Sequence, residues 1–260
     1  MEIVTIVFVF LFGICIGSFL NVCIYRMPRE ESIVAPRSHC PGCKTMIRWF
    51  DNIPLLSYLL LSGKCRQCKT RISIRYFLVE LFVGMMWVFL WQRYDETPFF
   101  VAAVICFTIL LAVSITDLET GYIPDKLSLP GALAGLILST AFPVLQDETR
   151  WYMGLLQSFL GFLAGGGILF ATGYLGSIIF KKEAMGGGDI KLLAMIGAFV
   201  GWQGAIFVFM FAPVVSIPIA LFERFVRKHE TIPFGPYIAL VGAWFFLYGN
   251  DFLKSYFYFD

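Results

Sequence analysis

Long apolar stretches broken by short polar ones set the pattern of this chain. Residues 3–25, 76–92, 98–116, 127–145, 151–180, 190–201, 203–222 and 234–250 carry at most one charge each. A spanning helix needs roughly 20 predominantly apolar residues, within a range of about 17–25, so the pattern predicts about eight membrane helices. The fifth carries Gly165, Gly166 and Gly167 and is long enough to kink or tilt there. The sixth is short, and Gly201-Trp202-Gln203-Gly204 predicts a tight turn into the seventh. On the first helix Gly13, Gly17 and Asn21 recur every four residues and share one face, which predicts close helix packing with Asn21 hydrogen-bonded inside the bundle. Met1-Glu2 offers no positive n-region, and Gly17-Ser18-Phe19-Leu20-Asn21 runs on towards Arg26, so this helix reads as a retained span rather than a signal peptide.

Composition narrows the class. Of 260 residues, 58% are hydrophobic and 15% charged, against about 45–50% and about 25% in a soluble domain. The mean hydropathy is +0.77. Disorder is excluded, because it needs few hydrophobics and a high net charge. The reading is an all-α polytopic membrane protein. Its parts are a first transmembrane helix (1–25), a polar loop (26–75) and a seven-helix core (76–260).

Net charge is only +2, but its distribution is lopsided. Segments 26–75, 117–126, 181–191 and 223–233 together hold 17 of the 20 Lys and Arg residues, leaving Arg93, Arg150 and Lys254 on the other side. By the positive-inside rule those four segments are cytoplasmic and both termini are periplasmic. The basic excess suits topology and contact with anionic membrane lipid. No nucleic-acid partner is expected, since no stacking or groove-reading motif is present.

The loop contains Cys40-Pro41-Gly42-Cys43 and Cys65-Arg66-Gln67-Cys68, separated by 21 residues. Two such knuckles place four thiolates around one tetrahedral ion, at a spacing just past the usual ~15–20 residues. Disulfides would need an oxidising compartment, so a cytosolic loop favours zinc. Four thiolates leave no open coordination position, so the metal is structural. Ile53–Leu61 is apolar but too short to span, and lies on the membrane face or the bundle. Cys15, Cys23 and Cys106 fall in spans and read as small buried hydrophobes.

Ionisable residues at membrane depth are costly and are functional candidates. Asp117 closes the third span and Asp189 opens the sixth after Gly186-Gly187-Gly188. The predicted topology puts both at cytoplasmic helix ends, where they can meet at one shallow depth. Two carboxylates held close cannot easily both ionise, so the pair keeps a shared proton. It can then activate a water while protonating an amide. The glycines leave room for a substrate strand or water to approach the backbone. Taken singly, Asp189 and Asp125 also read as helix caps. Glu80, one turn into the second span, needs a partner such as Arg75 or a polar ligand.

These residues resemble a known family. Gly17–Val22, the paired cysteines, Asp117 followed by Pro124-Asp125, Gly186-Gly187-Gly188-Asp189-Ile190-Lys191 and Ile232-Pro233-Phe234-Gly235-Pro236-Tyr237 stand in the order found in type IV prepilin peptidases. That family belongs to the GxGD class of intramembrane aspartyl proteases. The resemblance implies a bifunctional enzyme of the bacterial inner membrane. It would remove the basic leader of prepilins and pseudopilins on the cytoplasmic side and N-methylate the new terminus from S-adenosylmethionine. It implies Asp117 and Asp189 as catalytic, Gly186 and Gly188 as support for the catalytic loop, and Cys40, Cys43, Cys65 and Cys68 as zinc ligands. No S-adenosylmethionine motif is visible, and Gly63 and Glu80 are the candidates for that site. Many relatives have Pro where this chain has Phe77. An acidic segment with Asp117, Glu119 and Asp125 beside Lys126 suits a basic leader.

Three competing readings follow from the same residues. One is a peptidase without methyltransferase activity, and another is an inactive scaffold of the pilus or secretion machinery. The third is an ion or metal transporter using both aspartates, though transport sites favour the bilayer midplane and internal repeats.

Overall fold

The computed structural model describes residues 2–181, 185–223 and 233–257. Ile232 of the C-terminal motif and the basic residues Lys182, Arg224, Arg227 and Lys228 lie outside them. The regular elements among the described residues are helical, and the chain divides into two compact units, Met1–Phe100 and Val101–Asp260.

In the first unit, α1 (Glu2–Arg26) packs along α3 (Ile74–Tyr94), and the short α2 (Leu56–Leu60) lies in the loop between them. The four-residue stripe on α1 is the contact face: a Cβ on Gly17 would fall 2.8 Å from Glu80 Cα, and one on Gly13 3.0 Å from Gly84 Cα. Asn21 is buried there and its Nδ2 donates to the Tyr76 carbonyl at 3.0 Å. At the end of α1 the buried Arg26 donates to the carbonyls of Ser32 and Pro36, both at 2.8 Å, folding the start of the loop back on itself. Leu59 and Leu60 of α2 are exposed, as an interfacial segment too short to span would leave them.

The second unit is built from α4 (Pro98–Thr120, whose first turn belongs to the first unit), α5 (Asp125–Ala141), α6 (Trp151–Phe180), α7 (Gly187–Phe222) and α8 (Gly235–Phe257). α5 stops short of the expected 145, because Pro143 cannot continue the helix and opens a 3-10 turn, Pro143–Gln146. α6 runs unbroken through its three glycines. α7 breaks at Gly201, whose φ of 73° and ψ of 178° are not helical. A Cβ on Gly197 would lie 3.2 Å from that of Ala205. Residues eight apart in a continuous helix are about 12 Å apart, so the two halves fold back on each other, as the Gly201–Gly204 sequence predicts. Counting each half of α7, the long helices among the described residues, α1, α3, α4, α5, α6, α7 and α8, number eight, and α1, α3, α4, α6 and α7 are each long and apolar enough to cross a membrane.

Every residue of 192–199 is buried, so the first half of α7 is covered on all faces and forms the core. Its end inside the bundle leaves carbonyls without helical partners. Side chains meet them: Ser158 Oγ donates to Ala198 O at 2.6 Å, and Gln146 Nε2 lies 3.1 Å from Phe199 O. α6 approaches so closely that a Cβ on Gly161 would collide with the Gly197 carbonyl and lie 2.7 Å from the Gly201 carbonyl carbon. A Cβ on Gly167 would meet nothing within 4 Å. Gly161→Ala is therefore expected to destabilise the protein by about 1–3 kcal/mol and lower its melting temperature in detergent. Gly167→Ala should leave that temperature unchanged or slightly higher, and equal losses for both would refute the packing described.

Candidate active site and tetracysteine cluster

α4 runs three residues past Asp117, so this aspartate sits in the helix's last turn, 6% exposed. Gly121 ends the helix: its φ is +64° and its N–H donates to the Asp117 carbonyl at 2.8 Å, a left-handed C-terminal cap that glycine adopts at no steric cost. The chain then turns through Tyr122, Ile123 and Pro124 into α5. Ile123 is buried, and a Cβ on Gly188 would fall 2.7 Å from its Cβ. The glycine run thus lets the start of α7 lie against the turn after α4.

Asp189 is three residues into α7, whose N-cap is Gly186 with no side-chain cap bond. It is therefore not the cap, and its carboxylate is left for the cavity. A carboxylate in the first turn is favoured by the helix dipole. Gly186 leaves space directly beside it, since a Cβ there would lie 3.2 Å from Asp189 Oδ2. Asp117 and Asp189 line one cavity of about 300 Å³ with Asp125, Lys191, Tyr122 and the glycine backbone. At about 30 Å³ per water, it has room for a water and a stretch of extended peptide.

Two contacts in this cavity were not legible in the sequence. The backbone N–H of Gly235, at the start of α8, donates to Asp117 Oδ2 at 2.9 Å. A Cβ on Gly235 would fall 2.7 Å from that oxygen and 3.0 Å from Ile123 Cδ1, which gives the C-terminal motif a physical role. The cation on Asp125 is Lys191 of α7, at 2.6 Å. Both residues stand in sequence motifs, but only the fold reveals their partners. Glu119 is exposed.

In the first unit the two knuckles repeat one local geometry. Cys40 N–H donates to Thr45 O at 3.0 Å and Lys44 N–H to Cys40 O at 2.8 Å; 25 positions on, Cys65 N–H donates to Thr70 O at 2.9 Å and Lys69 N–H to Cys65 O at 3.1 Å. Lys44 and Lys69 both adopt positive φ, 54° and 58°. The Sγ atoms of Cys40 and Cys68 lie 3.6 Å apart, those of Cys43 and Cys65 3.9 Å, and all four fall within 4.8 Å of one another. A tetrahedron of sulfurs about 2.3 Å from zinc has edges of about 3.8 Å, whereas a disulfide needs about 2.05 Å. The cluster can hold zinc. Thr70 pulls the Cys68 thiol down to about 6, and Thr45 lowers Cys43. At Cys40 the Cys43 N–H favours the thiolate, but burial and the neighbouring thiols push the group up to about 11. Four thiols crowded this way share protons that a cation can replace.

Gly63 and Glu80 both have duties within the fold. Gly63 has a φ of +64°, and a Cβ there would fall 2.8 Å from the Tyr58 ring. Glu80 is buried, and its Oε2 accepts from Leu55 N–H at 2.8 Å, holding the positive-φ residue that precedes α2. That backbone donor is the partner Glu80 needs. Phe77, where many relatives have Pro, sets its ring 5.3 Å from that of Tyr58.

Comparison with known proteins follows the same division. Residues 11–94 match the Bacterial Peptidase A24 N-terminal domain and residues 104–221 the Type IV leader peptidase family. A "Prepilin leader peptidase/N-methyltransferase" of Myxococcus xanthus is 42% identical over 207 residues, covering 79% of this chain and 59% of that protein. One of the same description from Aeromonas salmonicida is 34% identical over 276 residues, covering 95% and 92%. A "Type 4 prepilin-like proteins leader peptide-processing enzyme" of Escherichia coli is 35% identical over 251 residues, covering 88% and 89%. No solved structure matches the chain. Similarity of 34% along nearly the whole of both this chain and the Aeromonas salmonicida protein means that this protein belongs to the type IV leader peptidase family.

Proposed function

We propose that this chain is a prepilin leader peptidase: an intramembrane aspartyl endopeptidase that removes the basic leader of type IV prepilins and pseudopilins and N-methylates the new N-terminal residue. The observation that carries the reading is the pair Asp117 and Asp189 lining one cavity at the ends of two membrane helices. The descriptions of the relatives as leader peptidase and N-methyltransferase support both activities. We place the enzyme in the bacterial inner membrane with the cysteine loop cytoplasmic and both termini periplasmic, on the strength of the basic-residue split.

In this reading the two carboxylates hold one proton between them. The ionised one takes a proton from a water as that water adds to the scissile carbonyl, and the protonated one donates to the carbonyl oxygen. Collapse of the tetrahedral adduct breaks the C–N bond, and a carboxyl returns a proton to the leaving amine. The Gly235 N–H anchors Asp117 through Oδ2. The main-chain donor positions the carboxylate without neutralising it. Gly186 and Gly188 support the catalytic loop by keeping side chains from the approach.

Cys40, Cys43, Cys65 and Cys68 would hold a structural zinc that fixes the two knuckles; four thiolates leave it no site for water. S-adenosylmethionine would supply the methyl group. Gly63 and Glu80 stay our candidates for contact with it, and because the fold already engages both, no methyl-transfer step is derived from them. Membrane lipid is the surrounding partner of the exposed apolar faces.

Removing a general acid or base costs about 10²–10⁴-fold. Asp117→Asn and Asp189→Asn should each slow leader removal by at least that factor in purified enzyme, read by the mobility shift of full-length prepilin. Label from S-adenosylmethionine should appear on the new N-terminus only with the parent. Cleavage without label would leave a peptidase alone, and full cleavage by both variants would overturn the catalytic assignment. Elemental analysis should find one zinc per chain in the parent and little in Cys43→Ser. Metal-free parent with two disulfides by mass would contradict the zinc cluster.

A further inference from the structure

The cavity contains an ion pair that cleavage does not consume. Lys191 Nζ lies 2.7 Å from Asp125 Oδ1 and 2.6 Å from Oδ2, gripping both oxygens across 66 residues of sequence. Asp125 opens α5, and Lys191 stands in the first turns of α7, two residues after Asp189. Both line the cavity with the two catalytic candidates. Their side chains are 46% and 40% exposed, too open for an ion pair of this kind to add much stability. Its position is better explained by the charge it presents to the cavity.

We propose that Asp125 and Lys191 are positioning residues for cleavage, a matched pair whose charges cancel so that Asp117 and Asp189 keep one shared proton at working pH. This inference rests on the dyad reading above. An unpaired Lys191 would draw both carboxylates to the ionised state, removing the proton the scissile carbonyl must accept. An unpaired Asp125 would add a third negative charge to the cavity, so the pair would hold its protons to higher pH and lack an ionised base. Among the described residues, the polar groups that line the cavity or touch the dyad are Tyr122 from the turn, Asp125 from α5, Lys191 from α7 and the Gly235 N–H from α8. Glu119, Lys126 and Tyr237 lie on the same elements and are unchanged in every variant below, so they drop out of the comparison.

The test is the pH dependence of leader cleavage at low salt, with the single-site variants Asp125→Asn and Lys191→Met. A unit charge several ångströms away in a partly wet cavity should move the profile by about half to one pH unit. Asp125→Asn should move it to lower pH and Lys191→Met to higher pH. The double variant should return it to the parent's position, and 1 M salt should shrink both displacements, because the pair is partly exposed. Displacements in one direction, or a loss of rate with the limbs unmoved, would mark the pair as structural only and overturn the proposal. If a single variant is not recovered folded, the double variant decides: a profile at the parent's position supports charge matching and a displaced one contradicts it. Failure of the dyad reading is separate, since it would show as activity in Asp117→Asn or Asp189→Asn.

Discussion

A carboxylate at the end of a membrane helix must be satisfied without being cancelled, and the rest of the second unit is arranged around that need. A cationic partner would fix Asp117 but hold it permanently ionised. A main-chain N–H positions it and leaves its proton exchangeable. Gly235 supplies that donor at 2.9 Å, and only glycine can stand so near the oxygen, since a Cβ would intrude at 2.7 Å. The start of α8, the turn after α4 and the glycine run before α7 converge for this reason. Gly188 and Gly235 let the starts of α7 and α8 approach closely, and Ile123 of the turn stands in the space their missing side chains leave.

Rigidity comes from the other end of the same helix. Asp189 stands at the entrance of α7, and the eight residues 192–199 behind it are buried on every side. The fold-back at Gly201 buries that half-helix, and Ser158 and Gln146 meet the carbonyls it frees. Unsatisfied backbone in hydrocarbon costs several kcal/mol per group, so these two side chains are as necessary to the hairpin as the glycine that turns it. A reacting group on such an element is held by packing rather than by a loop, as positional chemistry requires.

Much of this was legible from sequence because the underlying physics is local or periodic. Apolar length marked the spans, Gly201–Gly204 marked the hairpin, the four-residue spacing of Gly13, Gly17 and Asn21 marked the α1–α3 seam, and the two C-x-x-C pairs marked the cluster. The charge asymmetry went further, by predicting that Asp117 and Asp189 could reach one depth although 72 positions separate them in the chain. Partners set by tertiary contact were not legible. Lys191 reads as one more interfacial cation until α5 brings Asp125 to it, and nothing in the sequence pairs Glu80 with the Leu55 N–H that the loop brings to it. Gly235 reads as part of the C-terminal motif, and no sequence signal says that its N–H points at a carboxylate 118 positions earlier.

In the proposed mechanism two carboxylates cleave the leader by activating water. The most direct measurement is a single turnover of prepilin in ¹⁸O-water with unlabelled enzyme in excess, followed by mass analysis of the released leader. Direct attack by water predicts one solvent oxygen in the leader's new carboxyl group from the first turnover. An unlabelled leader in that turnover would mean that the oxygen came from an enzyme carboxylate through a covalent intermediate, and would contradict the mechanism.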